Sequence, residues 1–437
     1  MLTNPVLLSV VLMCVLCLFK VNILLSIMIS AVAAGLLAGF GLGETMGLLI
    51  GGMGGQAETA LSYILLGALA VGIAETGLAT MLSRAIQNVV GKKGTLFLIV
   101  LALVASCSQN IIPIHIAFIP ILIPPLLSMM NEMKLDRRGA ACSLTFGLKA
   151  PYIMIPAGFG LIFHNIIAKS LSDNGMTVDS TKIWSYMLIP GAGMVLGLLI
   201  AIFISYRKPR EYENKPLLIG NPSEDTDIVT DRFTRKHLGA ALGAVGAFTI
   251  QLLTGSLPLG ALVGLIIMAL FGAVPFKGID NTMAGGIQLM GFIAFVMLIA
   301  SGYANVIRES GGVNAIVEAS VGIVGGSKLI AAIMMLFIGL IITMGIGSSF
   351  GTIPIVAAIY VPLCLSLGFS VAATAILVGV AGALGDAGSP ASDSTLGPTS
   401  GLNADGQHNH IWDTCVPTFL HYNIPLIIFG TIGAMIF

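Results

Sequence analysis

Charge is scarce in this chain. Only 9% of its 437 residues are Asp, Glu, Lys or Arg, while 56% are hydrophobic; soluble domains carry about 25% charged residues. A water-exposed fold leaves too much of its surface at the boundary to manage with so few charges, so lipid must cover the outside. Acidic and basic residues balance at 20 each, which excludes the basic footprint of a nucleic-acid binder. The period-two alternation of a membrane β-barrel is missing. So are a nucleophile–base pair, a zinc pattern and a phosphate loop, and an enzyme is therefore not expected. Cysteines are few. Five of the six lie inside apolar runs, which excludes a disulfide framework; Cys14 and Cys17, although spaced C-x-x-C, are expected to have no redox or metal role.

What is present is apolar runs of about 20 residues, the length that crosses about 30 Å of hydrocarbon as a helix. They predict an all-α integral membrane protein with about ten spans, near 2–19, 21–41, 61–82, 139–163, 184–206, 238–255, 257–275, 285–306, 371–396 and 417–437. The run at Leu2–Phe19 has no basic residue before it and no small-residue cleavage pattern after it, and is expected to be a retained helix. A hydrophilic stretch, 207–237, is expected to be a solvated linker between two halves, 1–206 and 238–437.

Two long apolar segments, Gly94–Met133 and Leu329–Gly368, are interrupted by polar residues and proline: Ser106 to Pro113 in the first, Gly347 to Pro354 in the second. Irregular backbone at membrane depth is tolerated where it is buried or lines a cavity, so both are expected to be re-entrant hairpins, with two full crossings each as the alternative. The halves also resemble each other. Glu75-Thr-Gly77 recurs as Glu309-Ser-Gly311, and Pro156 recurs as Pro390 at the same offset in numbering. With five spans and one hairpin per half, the halves insert with opposite topology, giving two inverted repeats. A cytoplasmic linker then puts 15 basic residues inside and 4 outside, with Lys149 alone within a helix, in keeping with the positive-inside rule.

The richest chemistry lies at Gly385–Thr395, GDAGSPASDST. Glycine and proline this close unwind a helix and free carbonyls. Together with the carboxylates of Asp386 and Asp393 and the hydroxyls of Ser389, Ser392 and Thr395, they form a hard-oxygen donor set for a cation; an ordinary helix end running into a polar loop fits the same residues. The hairpin tips add Ser348, Ser349 and Thr352 on one side, and Ser106, Ser108 and Asn110 on the other. His115, just beyond the first tip, could relay protons or be a satisfied buried histidine. Lys149 stands in the repeat counterpart of the Asp386 segment. An intramembrane lysine is expensive unless paired. Three roles are open to it besides snorkelling: pairing with Asp386 or Asp393, binding a substrate carboxylate, or replacing a cation. Glu75 and Glu309 could titrate during transport or be helix-terminal charges at the interface, His421 fits a structural position, and Gln407–His410 with Asp413 matches no strong zinc spacing.

The 385–395 stretch resembles the G-D-x-x-S-P-x-S-D-[ST]-T motif of the NhaC-type Na+/H+ antiporter family at every fixed position. The apolar opening of the chain and the C-terminal wording, from Leu402 to Asn423, look like its YuiF-type branch. The resemblance implies a scaffold body and a transport body with opposed hairpins and broken helices, and a Na+ site at Asp386 and Asp393. It implies cation-coupled transport of a small amino acid across the inner membrane by an elevator motion, with Na+/H+ exchange lacking an organic substrate as the alternative. The partners it implies are the bilayer, a small-molecule or ion substrate and a second copy of the chain; no organic cofactor is expected.

Overall fold

The computed structural model describes residues 4–77, 90–91, 93–110, 119–157, 159–216, 234–312, 315, 327–347 and 349–437, without the side chains of 108–110, 121 and 252. The described residues are helical throughout their ordered elements: α1 (Pro5–Leu18), α2 (Ile23–Leu37), α3 (Leu42–Gly52), α4 (Ala57–Glu75), α5 (Gly94–Asn110), α6 (Arg137–Met154), α7 (Phe159–Asp173), α8 (Ser180–Ile200), α9 (Arg235–Thr254), α10 (Leu257–Leu270), α11 (Ile279–Glu309), α12 (Lys328–Ile346), α13 (Ser349–Leu367), α14 (Val371–Ala383), α15 (Asp393–Leu402) and α16 (Ile424–Ile436). Two π-helical stretches, His410–Cys415 and Phe419–Asn423, lead into α16.

The sequence repeat reappears in the helix boundaries. The starts of α2 and α10 (23, 257), of α5 and α12 (94, 328), of α6 and α14 (137, 371) and of α7 and α15 (159, 393) are all separated by the offset that relates Glu75 to Glu309, and so are the ends of α4 and α11 (75, 309). Shared side chains alone would not fix helix ends so closely; the local capping and break signals recur too.

Several expected spans are redrawn. Among the described residues six helical stretches are long and apolar enough to cross a bilayer, or seven if α6 and α7, bent by 49° at residues 155–158, count as one. The span expected at 61–82 belongs to a longer run, 42–75, in which α3 and α4 are joined by a 3-10 turn. The helices within the spans expected near 2–19, 21–41, 257–275 and 371–396 have only 13 to 15 residues, about 20 Å at 1.5 Å per residue. Polar caps shorten them: Asn4 accepts from the Val6 and Leu7 amides, Asn22 from the Leu24 amide, Ser256 from the Leu259 amide and Ser370 from the Ala373 amide. Large apolar side chains such as Leu103, Leu253 and Phe276 stand exposed on the outer faces, as a lipid-covered surface requires.

α12 and α13 form an antiparallel hairpin. Tyr360 Oη donates to the Met335 carbonyl at 2.5 Å, and at the open end Lys328 Nζ donates to the Gly368 carbonyl at 2.5 Å. Gly347, at φ +70°, ends α12 and starts the tip. Each arm has 19 residues, enough to cross by length alone. The tip nevertheless meets the interruption between α14 and α15, through Ser349. Of the first interruption, residues 106–110 continue α5, and 111–118 lie outside the described residues. Beside it, α5 presses on α6: a Cβ on Gly147 would lie 2.6 Å from the Ser106 amide.

The start of the linker is not a free solvated chain. Tyr212 Oη accepts from the Arg137 amide at 3.1 Å, with the Arg137 guanidinium 4.3 Å above its ring. Arg210 pairs with Asp413 at 2.7 Å, and Lys134 with Glu211 at 2.7 Å. Residues 207–216, most of them exposed, are therefore tied to the start of α6 and to the π-helical stretch His410–Cys415. Beneath them, Arg137 Nη1 and Nη2 donate to the two oxygens of Asp405 at 2.7 and 2.6 Å, and both side chains are buried.

Burial pushes the Asp405 carboxyl up, but the Arg137 hydrogen bonds and charge more than offset this and hold it below the ordinary range. That part of the stability is complete above about pH 4, the unfolded carboxyl value, and is lost as pH falls through the lower folded value. Asp405→Ala leaves a buried guanidinium unpaired and is expected to cost about 3–5 kcal/mol, read as a lower denaturation midpoint of the purified protein. Arg137→Met combined with Asp405→Leu should lose less than Asp405→Ala alone.

Candidate functional site

The site forms where α14 stops. Leu384 turns extended, with φ −62° and ψ 145°, and Gly385 adopts φ +82°. A Cβ at 385 would lie 2.8 Å from the Leu340 carbonyl, so glycine is needed both for the backbone angle and for the space. The groups freed by the break find side-chain partners. The Gly385 amide donates to Asn423 Oδ1 at 3.0 Å, and Asn423 Nδ2 donates to the Ala387 carbonyl at 2.9 Å. Thr395 Oγ1 donates to the Ser389 and Ser392 carbonyls at 2.6 and 2.9 Å. Ser394 Oγ donates to the Asp386 carbonyl at 2.8 Å, while the Ser394 carbonyl accepts from Thr145 Oγ1 at 2.8 Å. Irregular backbone is thus held in the core without unpaired groups at these positions.

Within this frame Asp386 is buried. Its Oδ2 accepts from Lys149 Nζ at 2.5 Å and from Ser349 Oγ at 2.5 Å, and its Oδ1 accepts from the Ser392 hydroxyl. Asp393 Oδ1 lies 3.5 Å from the same ammonium and is the more open of the two carboxylates. Tyr152 Oη is hydrogen-bonded to Ser349 Oγ at 2.8 Å. One ammonium therefore faces two carboxylates, and the three groups carry a net charge of −1 when all are ionised. Each belongs to a different element: Lys149 to α6, Asp386 to the break, Asp393 to the first turn of α15.

The structure brings together Asp386, Ser392, Asp393, Ser349 and Lys149 directly. Ser389 and Thr395 lie one layer out, where they pin the break; Ser389 Oγ accepts from the Ala391 amide at 3.3 Å. Thr352 is buried one turn past Ser349. Ser106 Oγ donates to the Ala102 carbonyl of its own helix at 2.7 Å, a contact internal to α5. Ser348 and His115 lie outside the described residues, as do the side chains of Ser108 and Asn110.

Other sequence candidates fall into structural roles. Glu75 and Glu309 end α4 and α11. His421 bridges Ser205 Oγ and the Pro417 carbonyl, at 2.8 and 2.7 Å. Asn409 caps the first π-helical stretch, His410 contacts Thr399 and the Pro390 carbonyl, and Asp413 pairs with Arg210. Cys14, Cys17 and Cys415 line one apolar cavity of about 280 Å³ against Gly388 and Pro390.

Three residues of the site escaped sequence reasoning. Tyr152 is the repeat equivalent of Asp386, and that equivalence was the available signal. Thr145 and Asn423 reach the break from distant parts of the chain, which no local pattern reports.

The chain is similar to known proteins along its length. A profile described as the Na+/H+ antiporter family matches residues 143–431, which hold the whole cluster around Asp386. A second, described as the Na+-H+ antiporter family, matches residues 4–90. An uncharacterised membrane protein of Vibrio parahaemolyticus is 50% identical over 445 residues, covering 99% of this chain and 100% of its own. Bacillus subtilis YuiF, provisionally named an amino acid transporter, is 47% identical over 449 residues, covering 99% and 100%. The solved structure of the Alcanivorax borkumensis YdaH transporter is similar with a TM-score of 0.45 and 14% identity, over 91% of this chain and 89% of that one.

Asn423→Ala should free the Gly385 amide and the Ala387 carbonyl together, at about 1–3 kcal/mol for each group left unpaired. Hydrogen exchange of a peptide covering 384–392 is expected to accelerate while one covering α1 does not. Unchanged exchange there would show that Asn423 does not hold the break.

Proposed function

We propose that this chain, which belongs to the Na+/H+ antiporter family, moves a small amino acid across the inner membrane in exchange or in company with Na+ or H+. One observation carries the reading: the Lys149 ammonium sits between Asp386 and Asp393, 2.5 and 3.5 Å from their oxygens, in the place a coupling cation would take. A pair of buried carboxylates with no cation is costly in the membrane. Lys149 offsets that cost when the site holds no ion, so the unloaded carrier can return. An arriving Na+ would take oxygens from Asp386, Asp393, Ser392 and Ser349 and displace the ammonium; a proton would do the same by neutralising one carboxylate. Either way, cation binding changes which groups hold the hairpin tip through Ser349, and this links ion occupancy to the tip.

The amino acid substrate is supported by the provisional name of the Bacillus subtilis relative. The repeat boundaries support two inverted repeats, 1–206 and 238–437, joined by 207–237. In this reading each repeat has five spans and a re-entrant hairpin, and α5–α8 with α12–α16 move as one body against α1–α4 with α9–α11 in an elevator motion. Na+/H+ exchange without organic substrate is the second reading, favoured by the family description.

Protein reconstituted in liposomes separates the two. An imposed Na+ gradient should drive uptake of at least one small L-amino acid; a pH change inside liposomes with no amino acid present, and no uptake of any, would select plain exchange. Asp386→Asn and Asp393→Asn should each lower Na+ activation at least tenfold, and unchanged activation in both would place the cation elsewhere. Lys149→Met removes the internal competitor. Na+ half-saturation should fall, counterflow between two loaded compartments should persist, and net uptake should stop because the unloaded carrier is left with two bare carboxylates. Net uptake at the wild-type rate would show that Lys149 has no part in the return step.

A further inference from the structure

The hairpin tip is a thin partition. On one face Ser349 holds Asp386. On the other, Gly347 and Gly351 line a separate, partly open cavity of about 190 Å³, lined also by Gln56 of the 3-10 turn after α3 and by Ser301 and the exposed Arg308 of α11. At about 30 Å³ per water this is room for roughly six waters, below the ~300 Å³ where drug-sized sites begin; it suits a solute of a few heavy atoms. Its walls come from both helical bodies, so its shape depends on their relative position.

The polar groups in the wall point to one kind of ligand. Arg308 has no carboxylate within ion-pair distance among the described residues, and its contact with Asn305 Oδ1 is long, at 3.5 Å. A guanidinium offers five donors in a planar fork that matches a carboxylate. Gln56 presents an amide with both donor and acceptor ends. Ser301 Oγ spends its proton on the Gly52 carbonyl at 2.8 Å, leaving its oxygen as an acceptor. One cationic fork, one amide and one acceptor oxygen complement a carboxylate next to an ammonium. No acidic side chain is among the residues lining the cavity; the tip supplies glycine backbone, which allows close approach.

We infer that this cavity is the half of the solute site that faces α11 and the turn after α3, with Arg308 binding the carboxylate of a small zwitterionic amino acid while Gln56 and Ser301 meet its ammonium. The inference rests on the amino acid reading above for the carrier of that carboxylate. It puts cation and solute on opposite faces of one tip, with Ser349 toward the cation and Gly347 and Gly351 toward the solute. Nothing in it requires the solute to touch Asp386.

Purified full-length protein in detergent tests it by thermal shift, with Na+ alone and with Na+ plus glycine, L-alanine, L-serine or L-threonine and the carboxamide of each. An amino acid should raise the midpoint and its carboxamide should not. Arg308→Gln should raise the half-saturating amino acid concentration at least tenfold and leave the Na+ shift intact, with Arg308→Lys intermediate. A wild-type half-saturation in Arg308→Gln overturns the inference and leaves the amino acid reading standing. The second measurement needs no substrate. Ser301→Cys in a Cys107→Ser background is treated with anionic and cationic methanethiosulfonates. The anionic reagent should react faster at least threefold, and Arg308→Gln should abolish the preference. If no amino acid shifts the wild type but this preference is seen, the amino acid reading fails and the carboxylate-binding cavity stands; with neither seen, both fall.

Discussion

The contact between Lys149 and the two carboxylates of the second break is the constraint on which the rest of the molecule turns. A lone ammonium or a lone carboxylate is expensive at membrane depth, and neither half of the chain could hold its own charge by itself. The pairing at 2.5 Å therefore ties α6 of the first half to the α14–α15 break of the second. Buried ion pairs contribute little net stability against a well-packed apolar replacement, so a fold that needed only to be stable would gain nothing from keeping one here. In the function proposed above, what the pair adds is a place where a small cation can enter by exchange with the ammonium.

Around that contact, the irregular backbone is held by neutral groups drawn from several directions. Asn423 comes from the end of a π-helical stretch, Thr145 from α6 and Thr395 from α15. A π-turn advances the chain by more residues per turn than an α-turn and shifts the register of everything after it. The two π-stretches before α16 are what aim Asn423 at Gly385 rather than at its own helix. The left-handed Gly385 and Pro390 keep the break from re-forming helix from within, and the polar pins satisfy the groups it frees.

Much of this was legible in the sequence because it is local. Gly385, Gly388 and Pro390 mark the break wherever they occur, Lys149 is the one basic residue in the interior of an apolar helix, and the offset read from Glu75 and Glu309 recurs in helix ends. What was not legible is of two kinds. Partners such as Tyr152, Thr145 and Asn423 are ordinary residues for a helix and gain meaning only through contacts with remote parts of the chain. The ties at the start of the linker were hidden for a related reason: Arg210, Glu211 and Tyr212 have the composition of solvated chain, and each also meets an opposite charge or a guanidinium on the body. Span ends shifted because caps such as Asn4 and Ser370 decide where a helix begins, and hydropathy windows average over them.

The repeat also explains why there is one charged site and not two. Tyr152 occupies the position equivalent to Asp386, Phe159 that of Asp393, and Ala383 that of Lys149, all at the offset that relates Glu75 to Glu309. Had both breaks kept carboxylates, four would converge where the helices meet, and at effective dielectric values near 20 each close pair of like charges would cost about 4 kcal/mol at about 4 Å. Had both kept the lysine, two ammonium groups would compete for the same oxygens and leave no room for a mobile cation. The observed division gives the carboxylates to one break, and the ammonium with a phenol to the other. Tyr152 Oη, at the position equivalent to Asp386, reaches Ser349 and through it the Asp386 carboxylate. Positions at one repeat offset thus present complementary rather than identical groups to the centre, an asymmetry that in the function proposed above leaves room for one cation.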